Sequence, residues 1–244
     1  MEKYRVREEM RKEIRLLKYT YNWKQNLGCL IVFAVLGIFF ILAGGICNPI
    51  GGLYMMVGST LLLQGLEQVY FTSFMQSSPR ARFYSVTLHM ILSSATFFAG
   101  YLITVLLLFL REQILGNMDG WIGEFFGFYN IKAGNVLLIT GLLGMVTCIH
   151  QGVSTRAYIS SMIVFVVAFM GLFLAGMSIT EDMGDEILTV GTSWEQLKLP
   201  FGTGALIGGI CLIVGVVISG ILRYALFKMP YSQVYKRMFM RYAK

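Results

Sequence analysis

The sequence predicts an all-α integral membrane protein: six transmembrane helices, an amphipathic N-terminal interfacial helix, and both termini in the cytoplasm. Three observations carry that prediction. Apolar residues make up 56% of the 244 and charged residues only 14%, against about 25% charged in an average soluble domain. The charges crowd the two ends and a few short gaps, and between the gaps lie apolar runs of about 20 residues or more, enough to cross about 30 Å of hydrocarbon. Lys and Arg, finally, collect on alternate gaps. A soluble globular enzyme, a fibrous chain and a disordered chain are all excluded.

The chain divides into a cytoplasmic interfacial helix over 1–26, a transmembrane domain over 27–227 and a basic cytoplasmic tail over 228–244. The predicted spans are Leu27–Ile46, Pro49–Phe74, Val86–Leu110, Lys132–Ile149, Tyr158–Ile179 and Thr203–Phe227. Backbone polar groups in lipid must be satisfied within their own segment, so each span is a helix. A long charged leader ahead of the first apolar run, with no A-x-A site at the right distance, argues against a cleavable signal peptide.

Orientation follows from the positive residues. All but three of the 20 Lys and Arg precede the first span, lie in the second-to-third or fourth-to-fifth gap, or belong to the C-terminal end from Arg223 onward. The exceptions are Arg111, Lys132 and Lys198. That bias places both termini inside. The net charge of +7 is therefore read as topology and attraction to anionic membrane lipids, with no nucleic-acid partner expected.

Within the leader, Val6, Met10, Ile14, Leu17 and Tyr21 fall on one helical face, and Lys and Arg, among them Arg11 and Arg15, occupy most other positions. This is an interfacial amphipathic helix. It serves as a topology anchor, as a brace for the first span and contact for a cytoplasmic partner, or as both.

The second span carries the costly polar cluster. Gln64, Glu67 and Gln68 share a helix face, and a carboxylate at membrane depth costs several kcal/mol unless paired, hydrated or protonated. A satisfied polar knot, a role in substrate passage or coupling, and a proton relay are the readings open to it. Candidate partners include His89 and Arg82.

The second-to-third connection reads Ser77-Ser78-Pro79-Arg80-Ala81-Arg82-Phe83. Serine followed by proline is an N-cap with proline at the first helical position. A short cytoplasmic helix is expected there, either simply opening the third span or presenting Arg80, Arg82 and Phe83 as docking anchors.

The outer segments Arg111–Ile131 and Thr180–Gly202 mix aromatic and acidic residues. Short helices at headgroup level are expected in both, as an aromatic belt or as a lid. Small residues form stripes in the sixth span (Gly204, Gly208, Cys211, Gly215, Ser219) and the fifth (Ala168, Gly171, Ala175, Ser178). Such stripes let helices approach closely, within a bundle or across a dimer. The four cysteines fit no disulfide or zinc pattern. The chain carries no phosphate loop, HExxH, GxSxG or EF-hand motif. No metal site and no catalytic residue is expected, and the chain is not expected to be an enzyme by itself.

A basic amphipathic leader, six spans, a Ser-Pro-Arg-x-Arg turn after the second span and a short loop at His150–Ala157 resemble the permease subunits of type-2 ABC exporters. The size and the Gly-, Phe- and Met-rich spans are similar to small bacterial permeases that export amphipathic toxin peptides of the phenol-soluble modulin type. The resemblance implies a multi-pass protein of the bacterial cytoplasmic membrane, working as a homodimer or with a paralogous permease. It implies a separate ABC ATPase subunit that binds ATP and Mg, with no cofactor in this chain. Ser78, Pro79, Arg80, Arg82 and Phe83 would form the coupling helix seated in that ATPase, and the helix carrying Arg11, Ile14, Arg15 and Leu17 would be the elbow. Two other readings stay open: a six-span substrate-capture subunit of an energy-coupling vitamin importer, and a non-transporting membrane assembly protein.

Overall fold

The structure, a computed structural model, describes residues 8, 11–12, 15, 23–43, 48–58, 83–115, 132–180, 189–192 and 199–239. The described elements are helix α1 (Trp23–Ala43), helix α2 over 48–58, a π-helical turn (Phe83–Leu88) running straight into α3 (His89–Leu115), α4 (Ala133–Ser154), α5 (Tyr158–Gly176), strands β1 (Met177–Thr180) and β2 (Thr189–Thr192), α6 (Phe201–Ala225) with a final 3-10 turn (Leu226–Lys228), and α7 (Gln233–Phe239). Among the described residues, four stretches are long and apolar enough to cross a membrane: Trp23–Leu42, Val86–Gln113, Ala133–Ser154 and Phe201–Lys228. A fifth, Tyr158–Leu172, is apolar and shorter.

The helices alternate in direction. On the α1–α2 pair, Phe33 meets Tyr54 and Gly58, while Gly37 and Ile41 meet Gly51. Gly52 of α2 lies against Thr104 of α3 and Thr140 of α4. Ser93, near the start of α3, bonds Gln151, near the end of α4. Phe109, far along α3, packs its ring 6.0 Å from that of Phe201 at the start of α6. One end of the bundle therefore gathers the starts of α1, α3 and α5 with the ends of α4 and α6. The opposite end gathers the start of α2 with the end of α1.

The tightest contact is the parallel pair α4–α6. Gly134 lies on Gly204, Gly141 on Gly208, Gly144 on Leu212, Met145 on Gly215 and Gly152 on Ser219. A Cβ on Gly208 would collide with the Leu137 carbonyl and the Tyr101 hydroxyl. Glycine here lets backbone meet backbone, which is how helices gain van der Waals contact in lipid, where apolar burial alone gives no drive. The sixth-span stripe is thus spent inside the chain. In the fifth span Gly171 has nothing within 4 Å of a Cβ position, and Ser178 has left the helix for β1.

Tyr101 ties three helices: its hydroxyl donates to the Ala205 carbonyl of α6 at 2.9 Å, with the Leu137 carbonyl of α4 at 3.4 Å. Around it the core comprises Ile41, Met56, Phe97, Leu108, Leu137 and Leu212. α4 is the axial helix: 56% of its apolar window is buried, against 11% for α1. Outward faces carry Ile31, Val32 and Val35 on α1, Ile163, Val164 and Val167 on α5, and Leu206, Ile213 and Ile221 on α6, all exposed. Apolar surface on this scale fits hydrocarbon rather than water.

Several sequence expectations are corrected. The fifth span ends at Gly176, not Ile179, and where short helices were expected after it the chain forms an antiparallel strand pair, Met177 opposite Thr192 through Thr180 opposite Thr189. The physical reason is the run of β-branched residues, Ile179-Thr180 against Thr189-Val190, which suits a pleated ribbon better than a helix. Arg111 belongs to α3 rather than to a following outer segment, since that helix continues to Leu115. The basic tail includes a folded element, α7. In the leader, Glu8, Arg11, Lys12 and Arg15 are helical and exposed, and Ile14 and Leu17 lie outside the described residues.

Candidate functional site at the basic end of the bundle

Two polar features sit together where α4 and α6 end and α3 begins. The first is a clasp. The α4–α5 turn presents Arg156, whose guanidinium donates to the Met229 carbonyl and lies 3.5 Å from the centre of the Tyr231 ring and 6.0 Å from that of Phe227. The Ser232 amide donates to the Thr155 carbonyl at 3.1 Å. Tyr235 of α7 is buried, its ring 6.1 Å from that of Tyr158. Pro230 stops the helical run after Lys228, and the chain folds back so that Tyr231 and Tyr235 cover the turn. Burial pulls the Arg156 guanidinium below its ordinary range. Tyr231 pushes it up, and the charge of nearby Arg223 pushes it down again.

The second feature is a narrow cleft between α3, α4 and α6 with a free volume of about 10 Å³, roughly the space of one water. Ser93 and Ser94 come from α3, Gln151 from α4, and Ser219 and Arg223 from α6; Met90, Cys148 and Val216 form the apolar wall. Ser93 Oγ donates to Gln151 Oε1 at 3.1 Å, and Ser94 Oγ donates to the Met90 carbonyl at 2.7 Å. With its carbonyl engaged, the Gln151 side chain has its two N–H donors for other acceptors. Met90 also packs on Gly220, which locks α3 to α6 beneath the cleft. Lys228, Lys236 and Arg237 are exposed around this end.

At the opposite end Asn135 is fully buried and accepts the Leu199 amide at 3.1 Å, fixing the chain as it enters α6.

Of the sequence-predicted site residues, Ser78, Pro79, Arg80 and Arg82 lie outside the described residues, as do Gln64, Glu67 and Gln68. Phe83 begins the π-turn, half-buried, at the end of the bundle that holds the clasp. His89 is buried where the π-turn becomes α3, and the His150 ring lies 5.0 Å from that of Phe165. Among the described residues no group of three His, Cys, Asp or Glu could hold a metal ion. The clasp and the cleft escaped sequence reading. The signals for them were Tyr231 and Tyr235 four apart after Pro230, and Arg223 on one helical face with Ser219 and Val216.

Comparison of the chain with protein-family models, with curated proteins and with solved structures returns no match.

Proposed function

We propose that the chain is the transmembrane permease subunit of an ATP-driven exporter, moving hydrophobic or amphipathic cargo, peptide or lipid-like, outward across a bacterial cytoplasmic membrane. It carries six spans with both termini inside, works as a homodimer or beside a paralogous permease, and borrows its energy from a separate ABC ATPase subunit that binds ATP and Mg. The segment Ser77–Phe83 is the coupling element, seated in the ATPase, and the leader helix is the elbow beside it.

The observation that carries this reading is the shared location of three elements. The π-turn that follows the Arg80–Arg82 segment, the Arg156 turn and the basic helix α7 all sit at one end of the bundle. A basic, aromatic-lined end joined to the start of α3 and the ends of α4 and α6 is a handle: force applied there reaches three spans at once. Glu67, with Gln64 and Gln68, supplies a polar position within the second span for cargo passage or coupling.

The test is co-purification of the full chain with its ATPase from membranes. A roughly stoichiometric nucleotide-hydrolysing subunit is expected, and Arg80→Glu with Arg82→Glu should release it. ATPase binding that survives the double charge reversal overturns the docking assignment.

A further inference from the structure

We infer that the seam between α2 and the α3–α4 pair opens to water, and that Asn48 and Thr140 are the polar lining that becomes hydrated when it does. The inference deepens the transport reading by locating an opening, and it rests on that reading for its use. Its test needs no ATPase, so the two can fail separately.

In this structure the seam is closed over polar atoms. Gly52 of α2 lies against Thr140 of α4 and Thr104 of α3. Asn48 stands one turn before Gly52 on the same helical face. Asn48, Thr104 and Thr140 are all fully buried. Thr104 donates within its own helix, to the Gly100 carbonyl at 2.9 Å. The Thr140 hydroxyl and both polar atoms of the Asn48 carboxamide have no hydrogen-bond partner among the described residues.

Other polar side chains of the bundle are paired across its helices. Tyr101 donates to the Ala205 carbonyl, Ser93 donates to Gln151, and Asn135 accepts from the Leu199 amide. These three bonds tie α3, α4 and the start of α6 to one another, and none of the three reaches α2. A carboxamide or hydroxyl buried without a partner costs free energy that contact with water returns. That cost weighs on the arrangement in which α2 closes the seam. The Asn48 carboxamide has two N–H donors and a carbonyl acceptor to offer water.

The two residues also fall in line. Asn48 begins α2, at the end of the bundle opposite the clasp. Thr140 lies about 10 Å into α4 from the same end. Together they line an inlet running from that surface toward the middle of the bundle.

The experiment uses the purified full chain in phospholipid nanodiscs, where both faces meet water, with Cys29, Cys47 and Cys211 replaced by alanine. Thr104→Cys is the reporter, and Thr140→Cys on the facing helix is a second. Native Cys148, buried beside a cleft too narrow for the reagent, is the internal control. A charged methanethiosulfonate reagent, larger than water, is added and labelling at each site is read by peptide mass spectrometry. Both reporters should label at least about tenfold faster than Cys148. Asn48→Leu should slow each reporter relative to Cys148 by about tenfold, as expected for removing one group that gains by hydration. Thr140→Val should do the same to the Thr104→Cys reporter. Each of these two apolar changes, made in the wild-type chain, should hold or raise the thermal midpoint. Reporters as slow as Cys148, or reporter rates untouched by both apolar changes, overturn the inference. So does a midpoint lowered by both changes, which would show that the polar atoms hold the seam shut around a lodged water.

Discussion

The Arg156 guanidinium lies 3.5 Å from the centre of the Tyr231 ring while donating to the Met229 carbonyl. One side chain in a three-residue turn thereby holds the segment that follows the last long helix. A cation over an aromatic face contributes about 0.5–2 kcal/mol, depending on how far water is excluded.

Loss of the ring should therefore loosen the clasp without unfolding the bundle. In Tyr231→Ala the Ser232 amide, which donates to Thr155, should exchange its hydrogen about tenfold faster. Arg156→Lys should do nearly as much, since an ammonium lacks the plane that stacks. Hydrogen exchange read by mass spectrometry over 229–239 checks both, and unchanged exchange would show that the tail is held elsewhere.

Some glycines have a backbone against them and others face open space. Gly208→Val should destabilise by about 3 kcal/mol, because a side chain there strikes Leu137 and Tyr101. The thermal midpoint in detergent should fall by roughly 5–10 °C. Gly171→Ala, with nothing within 4 Å, should hold or raise the midpoint, since alanine is the better helix former by up to about 1 kcal/mol.

Tyr101 separates packing from hydrogen bonding. Tyr101→Phe removes only the bond to Ala205 and should cost about 1 kcal/mol. Tyr101→Ala also empties the three-helix junction and should cost about 3–5 kcal/mol. Thermal unfolding of the two variants should rank them in that order, and equal losses would mean the hydroxyl carries the whole contribution.

Orientation can be read by labelling single cysteines in a background lacking Cys29, Cys47, Cys148 and Cys211. With both termini inside, Lys228→Cys should react with an impermeant maleimide only after the membrane is opened. Lys132→Cys, at the start of α4, should react in intact cells. The reverse pattern would invert the bundle and remove the docking proposal with it.

On the proposal that the chain works with an ATPase, Glu67→Gln should lower ATP hydrolysis by the reconstituted complex more than it lowers the yield of folded chain. Loss of yield with unchanged specific activity would assign Glu67 to a structural knot.

The apolar helices and the basic ends were legible because each is a property of local composition. Hydropathy located α1, α3, α4, α5 and α6, and small-residue spacing picked out Gly204, Gly208, Gly215 and Ser219 before their neighbours were known. That same spacing could not say whether the partner helix belonged to this chain or to a second copy. Only the three-dimensional pairing with Gly134, Gly141 and Gly152 does so. In the fifth span the stripe meets no neighbour within the chain at Gly171, and Ser178 sits in a strand. The β1–β2 ribbon was missed because aromatic and acidic residues outweighed the short β-branched runs. The cleft was illegible for a different reason. Ser93, Gln151 and Arg223 come from three separate helices, and no periodicity links residues that meet only by packing.

With glycines at most of their crossings, α4 and α6 have almost no side-chain layer between them to slide or repack. They must travel as one rigid stave. Any path that opens through this protein therefore runs beside that stave, by the swing of α1 and α2 or of α5, and never between its two halves.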